Sequence, residues 1–284
     1  MRTIINLDEN FKPFGDEFTE LEYEKFSFPS GCEPHIKIVE KAWMLTSGHE
    51  VIITTRIKSS EDLIILLLAT DALKRLGFTY IKLFIPYLPF ARQDRVMVTG
   101  EPLSIKVLAN IINSQQYTKV AVYDVHSEVA LALINNCDAI SNHNFIKKVL
   151  KDKEDYYIVS PDAGAYKKIF KAAQFVGYTG DIVLCNKIRD VKSGKILNMS
   201  CDVNDLQGKD VYIIDDICDG GGTFIGLADK LKENNAGNVN LIVSHGIFSK
   251  GIEALHNVDH IYTTNSFSDL EENDKLTQIK LDFK

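Results

Sequence analysis

Short apolar runs rich in β-branched residues alternate along this chain with segments whose apolar residues recur every three or four positions. Runs of the first kind predict strands over 3–7, 35–39, 51–55, 80–86, 120–124 and 156–160, and again over 182–187, 195–199, 211–215, 239–244 and 260–263. Several are apolar throughout, the pattern of strands covered on both faces. Helices fit between them. One covers 62–76, with Ser60 as its cap and Gly77 at its end. Another covers 101–112, with Pro102 in its first turn and Leu103, Val107, Leu108 and Ile111 along one side. Shorter ones follow at 145–150, 165–172 and 222–232. The alternation predicts an α/β fold with mainly parallel central sheets. The aromatic, charged stretch 10–32, with Pro13 and Pro29, reads as mostly loop.

The pattern is weakest around 141–155 (SNHNFIKKVLKDKED), so a domain boundary is expected near residue 142. That divides the chain into domains over 1–142 and 143–284, each with a comparable series of strands and helices. A length of 284 residues suits two such domains and supports full cores without disulfides or structural metals. The formal net charge of −7 argues against a general nucleic-acid binder, but not against small anions, because a site can be locally positive. The five cysteines, Cys32, Cys137, Cys185, Cys201 and Cys218, are odd in number and never spaced C-x-x-C. Reduced thiols are therefore expected rather than a disulfide framework or a zinc site. The longest apolar run, LIILLLA over 63–69, is far short of the ~20 residues that span a bilayer, and the N-terminus shows no signal-peptide pattern. A soluble, cytoplasmic protein that does not engage membranes is expected.

The most specific chemistry lies in VYIIDDICDGGGT, residues 211–223. A buried strand leads into Asp215 and Asp216; Asp219, Gly220, Gly221, Gly222 and Thr223 follow, and then a helical pattern. Glycines let backbone N–H groups approach an anion closely, and a helix N-terminus adds favourable potential. Thr223 is placed either to cap the helix or to donate to a phosphate oxygen. The two acids can accept hydrogen bonds from sugar hydroxyls or hold a cation through water. The segment is neither a Walker A loop nor G-x-G-x-x-G. The plainer alternative, a tight strand-to-helix turn, leaves two costly strand-end acids without a task.

This segment resembles the signature shared by phosphoribosyltransferases and ribose-phosphate diphosphokinases (PRPP synthetases), in which the loop holds a 5-phosphate and the acidic pair faces the ribose. FIPYLPFARQDRVMVTGEPLSIKVLAN, residues 84–110, is similar to a diphosphokinase segment that phosphoribosyltransferases lack. From the residues alone, Arg92 and Arg95 are two cations in a loop leaving a buried strand. The resemblance makes Arg92, Gln93, Asp94 and Arg95 an ATP-binding loop. Asp124-Val125-His126 resembles the family's Asp-x-His, which implies that His126 is a magnesium ligand beside the ATP; the SEVALALI after it departs from the family. Ser160-Pro161-Asp162-Ala163-Gly164-Ala165 resembles Ser-Pro-Asp-x-Gly-Gly, with Ala165 in place of the last glycine, and implies a second magnesium contact at Asp162.

Lys187-Ile188-Arg189 matches the family's Lys-Arg-Arg at its first and third residues, which makes Lys187 and Arg189 the catalytic cations. Alternation along a strand puts the two on one face. The DVKSGK after them reads as a polar flap turning at Ser193-Gly194. A partial match to Phe-Ser-Asp-Gly-Glu assigns Phe26 and Glu33 to ATP, with the Asp missing and three residues inserted.

The resemblance implies two tandem phosphoribosyltransferase-like domains, Mg2+, and transfer of the β,γ-diphosphoryl group of ATP to the C1 hydroxyl of ribose 5-phosphate. It also implies a homodimer or larger homo-oligomer assembled through the N-terminal halves. Two rivals stand beside it: the same transfer to a larger ribose 5-phosphate ester such as ADP-ribose, and a non-catalytic regulatory paralogue. Retention of Lys187, Arg189, His126, Asp162 and the glycine loop argues against the second. A plain phosphoribosyltransferase leaves 91–95 without a role. The family's C-terminal helix, which carries part of its allosteric site, has no counterpart before Lys284, so altered or absent control by phosphate and ADP is expected.

Overall fold

The computed structural model describes residues 3–39, 50–189 and 196–283, with backbone alone at 16, 187–189 and 196–198. The chain forms two compact units, Met1–Ile140 with Leu281–Lys284, and Ser141–Lys280. The last four residues, placed in the second domain by the sequence pattern, thus belong to the first unit. Among the described residues, no helix is long and apolar enough to cross a membrane.

The first unit is built on β1 (Thr3–Asn6), β2 (Thr19–Glu20), β3 (Tyr23–Phe28), β4 (Glu33–Ile38) and β5 (Glu50–Thr54). Then come α1 (Ser60–Arg75), β6 (Tyr80–Ile85), α2 (Ser104–Ser114), β7 (Lys119–Tyr123), α3 (Glu128–Leu133) and β8 (Cys137–Ile140). Six strands form a parallel sheet in the order β2-β1-β5-β6-β7-β8. Ile53, Leu83, Ile85, Val120 and Val122 line its core with Ile65, Leu66 and Leu73 of α1 and Ile105 and Leu108 of α2. The stretch 10–32 is not mostly loop. It contains a 3-10 turn at Gly15–Glu17, β2, and β3, which pairs antiparallel with β4 from Tyr23↔Ile38 to Phe28↔Glu33. Strand β3 buries almost none of its side chains, so it carries no alternation to detect. α3 and β8 are too short to register as patterns.

Caps differ in detail from the expected ones. Ser59, not Ser60, caps α1: its hydroxyl accepts from the Asp62 amide at 3.2 Å while Asp62 accepts from the Ser59 amide at 2.8 Å. α2 begins at Ser104 rather than Glu101, because the Glu101 carboxylate accepts from the amides of Met97 and Val98 at 2.9 and 3.2 Å and closes a turn instead. Aromatic packing holds the returning tail. The Phe283 amide donates to Pro13 at 2.7 Å, and its ring meets Phe84, Phe14 and Tyr123 at 5.2–5.9 Å between centroids.

The second unit contains α4 (His143–Leu150), β9 (Tyr156–Ser160), α5 (Ala163–Val176), β10 (Ile182–Arg189) and β11 (Ile196–Cys201). It continues with β12 (Asp210–Cys218), α6 (Gly222–Glu233), β13 (Val239–Gly246), β14 (His260–Thr264) and β15 (Leu276–Ile279). The order of its seven strands is β11-β10-β9-β12-β13-β14-β15, parallel except for the β10–β11 pair. Every residue of β13 is buried, as a central parallel strand covered on both faces must be. Gly177 ends α5 in the left-handed region at φ +77°.

Beyond the ends of β1 and β5, Arg56 pairs with Asp8 through Nε–Oδ2 at 2.7 Å and Nη2–Oδ1 at 2.9 Å. Its side chain is only 2% exposed. Burial pulls the Asp8 pKa up, but the hydrogen bond and charge of Arg56, helped by Lys58, outweigh it and hold the carboxyl below 3.8. The pair therefore contributes stability above that value, which is lost as pH falls through the depressed folded pKa. Asp8→Asn should cost about 3 kcal/mol at pH 7, because it strands a buried cation. Urea denaturation across pH should show the deficit shrinking only in the acid range; a loss that stays constant down to pH ~2 would contradict this account.

Candidate functional site

In the second unit, β9 and β12 are parallel neighbours, in register from Asp210↔Tyr156 to Ile213↔Val159. Their C-terminal ends bring three carboxylates into one neighbourhood. Asp162 follows β9 and caps α5, its Oδ1 accepting from the Ala165 amide at 3.0 Å. The backbone of Asp162 is held in turn by the buried Ser160, whose hydroxyl donates to its carbonyl at 2.9 Å. Asp215 and Asp216 do not end their strand as expected. β12 runs on to Cys218, paired with β13 at Ile217↔His245 and Cys218↔Gly246. The acids are therefore fixed by backbone pairing on both sides. Asp216 is 7% exposed, and its amide donates to Asp215 Oδ1 at 2.9 Å. Loss of water, with the charge of Asp216 and then Asp162, pushes the Asp215 pKa well above its ordinary value.

After β12, residues 219–221 turn the chain into α6. Gly221 is the N-cap at φ +73°, and a Cβ there would lie 2.8 Å from Leu255 Cδ2, so conformation and space both require glycine. Thr223 is consequently in the first turn and not at the cap. A Cβ on Gly222 would meet nothing within 4 Å, so the space over the first helical amides is open. Those amides lack intrahelical acceptors and suit an anion. Lys250, which the sequence reading did not single out, runs along the loop: a Cβ on Gly220 would lie 3.6 Å from its Cε. Lys250 follows a different strand, β13, and only the fold brings it here.

Lys187 and Arg189 lie on β10, with Lys187 opposite Met199 and a register shift between Ile188 and Arg189. Their side chains are not among the described positions, and the flap expected over 190–195 lies outside the described residues.

In the first unit, the loop 86–103 leaves the end of β6. Asp94 is its anchor. Arg95 Nε donates to Oδ1 at 3.0 Å and Ser127 Oγ donates to Oδ2 at 2.7 Å, and these two bonds, with the nearby His126, lower the Asp94 pKa. Ser127 also caps α3, accepting from the Val129 amide at 3.1 Å. The loop is thus tied beside His126, which is exposed just after β7. Asp124 precedes it in the left-handed region at φ +45°, turning the chain there. Arg92 and Gln93 are exposed on the same loop. Asp94 serves the loop's own structure, whereas Arg92, Gln93 and His126 face solvent. On the β3–β4 hairpin, Phe26 pairs with His35 and Phe28 with Glu33. Phe26, Phe28 and His35 form an exposed aromatic cluster at 4.8–5.8 Å between centroids. Phe28 and His35 are the members that the sequence reading missed.

Among the described residues, no three His, Cys, Asp or Glu side chains form a ready cation cage. Single carboxylates in a partly buried acidic neighbourhood fit a magnesium ion that keeps waters and arrives with phosphates, rather than one held by protein alone.

The family model for the N-terminal domain of ribose phosphate pyrophosphokinase matches residues 37–115. The ribose-phosphate pyrophosphokinase of Thermosipho africanus is 33% identical over 231 residues, which is 78% of this chain and 72% of the relative. That of Pyrococcus abyssi is 31% identical over 256 residues, 87% of this chain and 82% of the relative. Among solved structures, phosphoribosylpyrophosphate synthetase from Mycobacterium smegmatis has a TM-score of 0.80 at 21% identity, covering 98% of this chain and 94% of that one. That likeness is one of fold.

A raised carboxylate pKa costs stability once the group ionises. The native state keeps its full stability below the ordinary Asp value of 3.8 and loses some as pH rises through the raised value of Asp215. Asp215→Asn should therefore raise Tm at pH 7 and leave it unchanged below that ordinary value. A lower Tm for the variant at pH 7 would show that the carboxylate is stabilising instead.

Proposed function

This chain belongs to the ribose-phosphate pyrophosphokinase family, and from that premise we propose that it transfers the β,γ-diphosphoryl group of Mg-ATP to the C1 hydroxyl of ribose 5-phosphate. The observation that carries this reading is the glycine loop seated at the N-terminus of α6 directly beyond the half-buried Asp215 and the buried Asp216. Such a pairing of anion donors and hydroxyl acceptors suits a sugar phosphate. The loop amides and Thr223 hold the 5-phosphate, and the acids accept hydrogen bonds from the ribose hydroxyls. The C1 oxygen then attacks the β-phosphorus, its proton passing to solvent. The bond from that phosphorus to the bridging oxygen breaks, and AMP leaves with the oxygen. Chemistry of this kind depends on alignment and charge neutralisation more than on covalent help.

Lys187 and Arg189 neutralise the charge that develops on the β-phosphate and the departing AMP. Arg92 and Gln93 bind the ATP phosphates, while Asp94 and Arg95 shape that loop. Phe26 offers its ring face to the base, with Glu33 at the turn of the same hairpin. His126 in the first unit and Asp162 in the second are each candidate magnesium ligands. Bound there, magnesium would supply positive charge to the phosphate oxygens. Lys250 adds a cation to a loop otherwise flanked by carboxylates.

Incubation with ATP, magnesium and ribose 5-phosphate should yield AMP and phosphoribosyl diphosphate by mass spectrometry. Product from a parallel ADP-ribose arm alone would move the acceptor, and product from neither would sink the reading. Lys187→Ala should lower kcat by on the order of 10²–10³ with an unchanged Tm, the usual loss for one preorganised charge stabiliser. Lys250→Ala should raise KM for ribose 5-phosphate about tenfold with little change in kcat or in KM for ATP, the value of one charge-assisted hydrogen bond. Lys250→Arg should restore most of it; equal KM values in wild type and Lys250→Ala would remove Lys250 from the site.

A further inference from the structure

Cys185 and Cys201 are directly opposite each other on β10 and β11, the only antiparallel strand pair in the second sheet among the described residues. One residue earlier, the Asp202 amide donates to the Leu184 carbonyl at 3.1 Å, which makes 184 and 202 a hydrogen-bonded pair. Cys185 and Cys201 are therefore a non-hydrogen-bonded pair, where facing Cα atoms come within about 4.5 Å and side chains lie closest. A disulfide takes Cα separations of about 4.4–6.8 Å, a range that includes the spacing typical of such facing pairs. Both thiols are free and face each other across the strand pair. Cys185 is fully buried among Phe224, Leu227 and Leu231, whereas Cys201 is half-buried and open to a reagent. The neighbouring Cys185 thiol, aided by Lys230 and opposed by burial and Asp202, holds the Cys201 thiol below its ordinary pKa.

We propose that Cys185 and Cys201 form a redox-active dithiol, oxidised by small-molecule disulfides, that restrains the hairpin carrying Lys187 and Arg189. The Cys201 thiolate attacks one sulfur of the small disulfide and expels a thiolate. The Cys185 sulfur then attacks the Cys201 sulfur of the mixed disulfide and expels the second thiolate. The protein loses two electrons and two protons, and the small disulfide becomes two thiols. Cys185 precedes Lys187 by two residues along β10, and Cys201 ends β11. A covalent tie at this point fixes the twist of the two strands two residues from Lys187.

The test is to incubate the full chain with oxidised glutathione, alkylate the free thiols and map them by mass spectrometry. The expected result is a Cys185–Cys201 linked peptide pair that dithiothreitol releases. With it, kcat for diphosphoryl transfer should fall several-fold and recover on reduction, while Cys201→Ser and Cys185→Ala are insensitive. Glutathione retained on Cys201 or Cys32 without the internal link would overturn the proposal, and a linked protein with undiminished kcat would overturn the restraint. The restraint rests on the proposed reaction, but the peptide map does not. A linked protein whose reduced form makes no product would count against that reaction and leave the dithiol standing.

Discussion

Two carboxylates held inside a parallel strand set the terms for the second unit. Asp215 and Asp216 cannot relax toward water, because β12 is paired to β9 before them and to β13 on both sides. Their mutual repulsion and lost hydration are left in the folded state, where a ligand with hydroxyl donors, or a cation brought by one, can relieve them. The same strand extension delivers the chain into the turn at Gly221, so the loop's geometry follows from the pairing that confines the acids. The proposed binding site thus lies where folding alone is least comfortable.

Charge distribution extends the argument. An acidic chain that handles polyanions cannot rely on its overall field, so positive potential must be local. It is supplied in three forms: backbone amides at the start of α6, a few side-chain cations, and any metal that accompanies the phosphates. Much of the remaining charge is structural. The buried Arg56 is spent on Asp8. The Asp94 carboxylate also joins the loop to Ser127, next to His126.

The β10–β11 pair is the exception in an otherwise parallel sheet, and the antiparallel geometry has consequences of its own. Facing residues alternate between hydrogen-bonded and closely packed pairs, which places two thiols together although they are far apart in sequence. Counting cysteines led toward unpaired reduced thiols. Strand register, which no count contains, turned two of them into neighbours.

Periodicity and local motifs determined the α/β class, most strands and helices, and the glycine loop, because these depend on spacing within a few residues. Resemblance to the family, not spacing, pointed to the Ala91–Arg95 loop and the Asp-x-His. The exposed strand β3, the short α3 and β8, and the true first residues of α1 and α2 were hidden, since each is decided by a partner rather than by its own pattern. Tertiary structure alone brought Asp162 toward Asp215, Lys250 alongside Gly220, Cys185 opposite Cys201, and the tail at Phe283 into the first unit. The physical reason is the same in each case: side-chain neighbourhoods across a sheet are set by strand order and register, which are long-range properties of the folded chain.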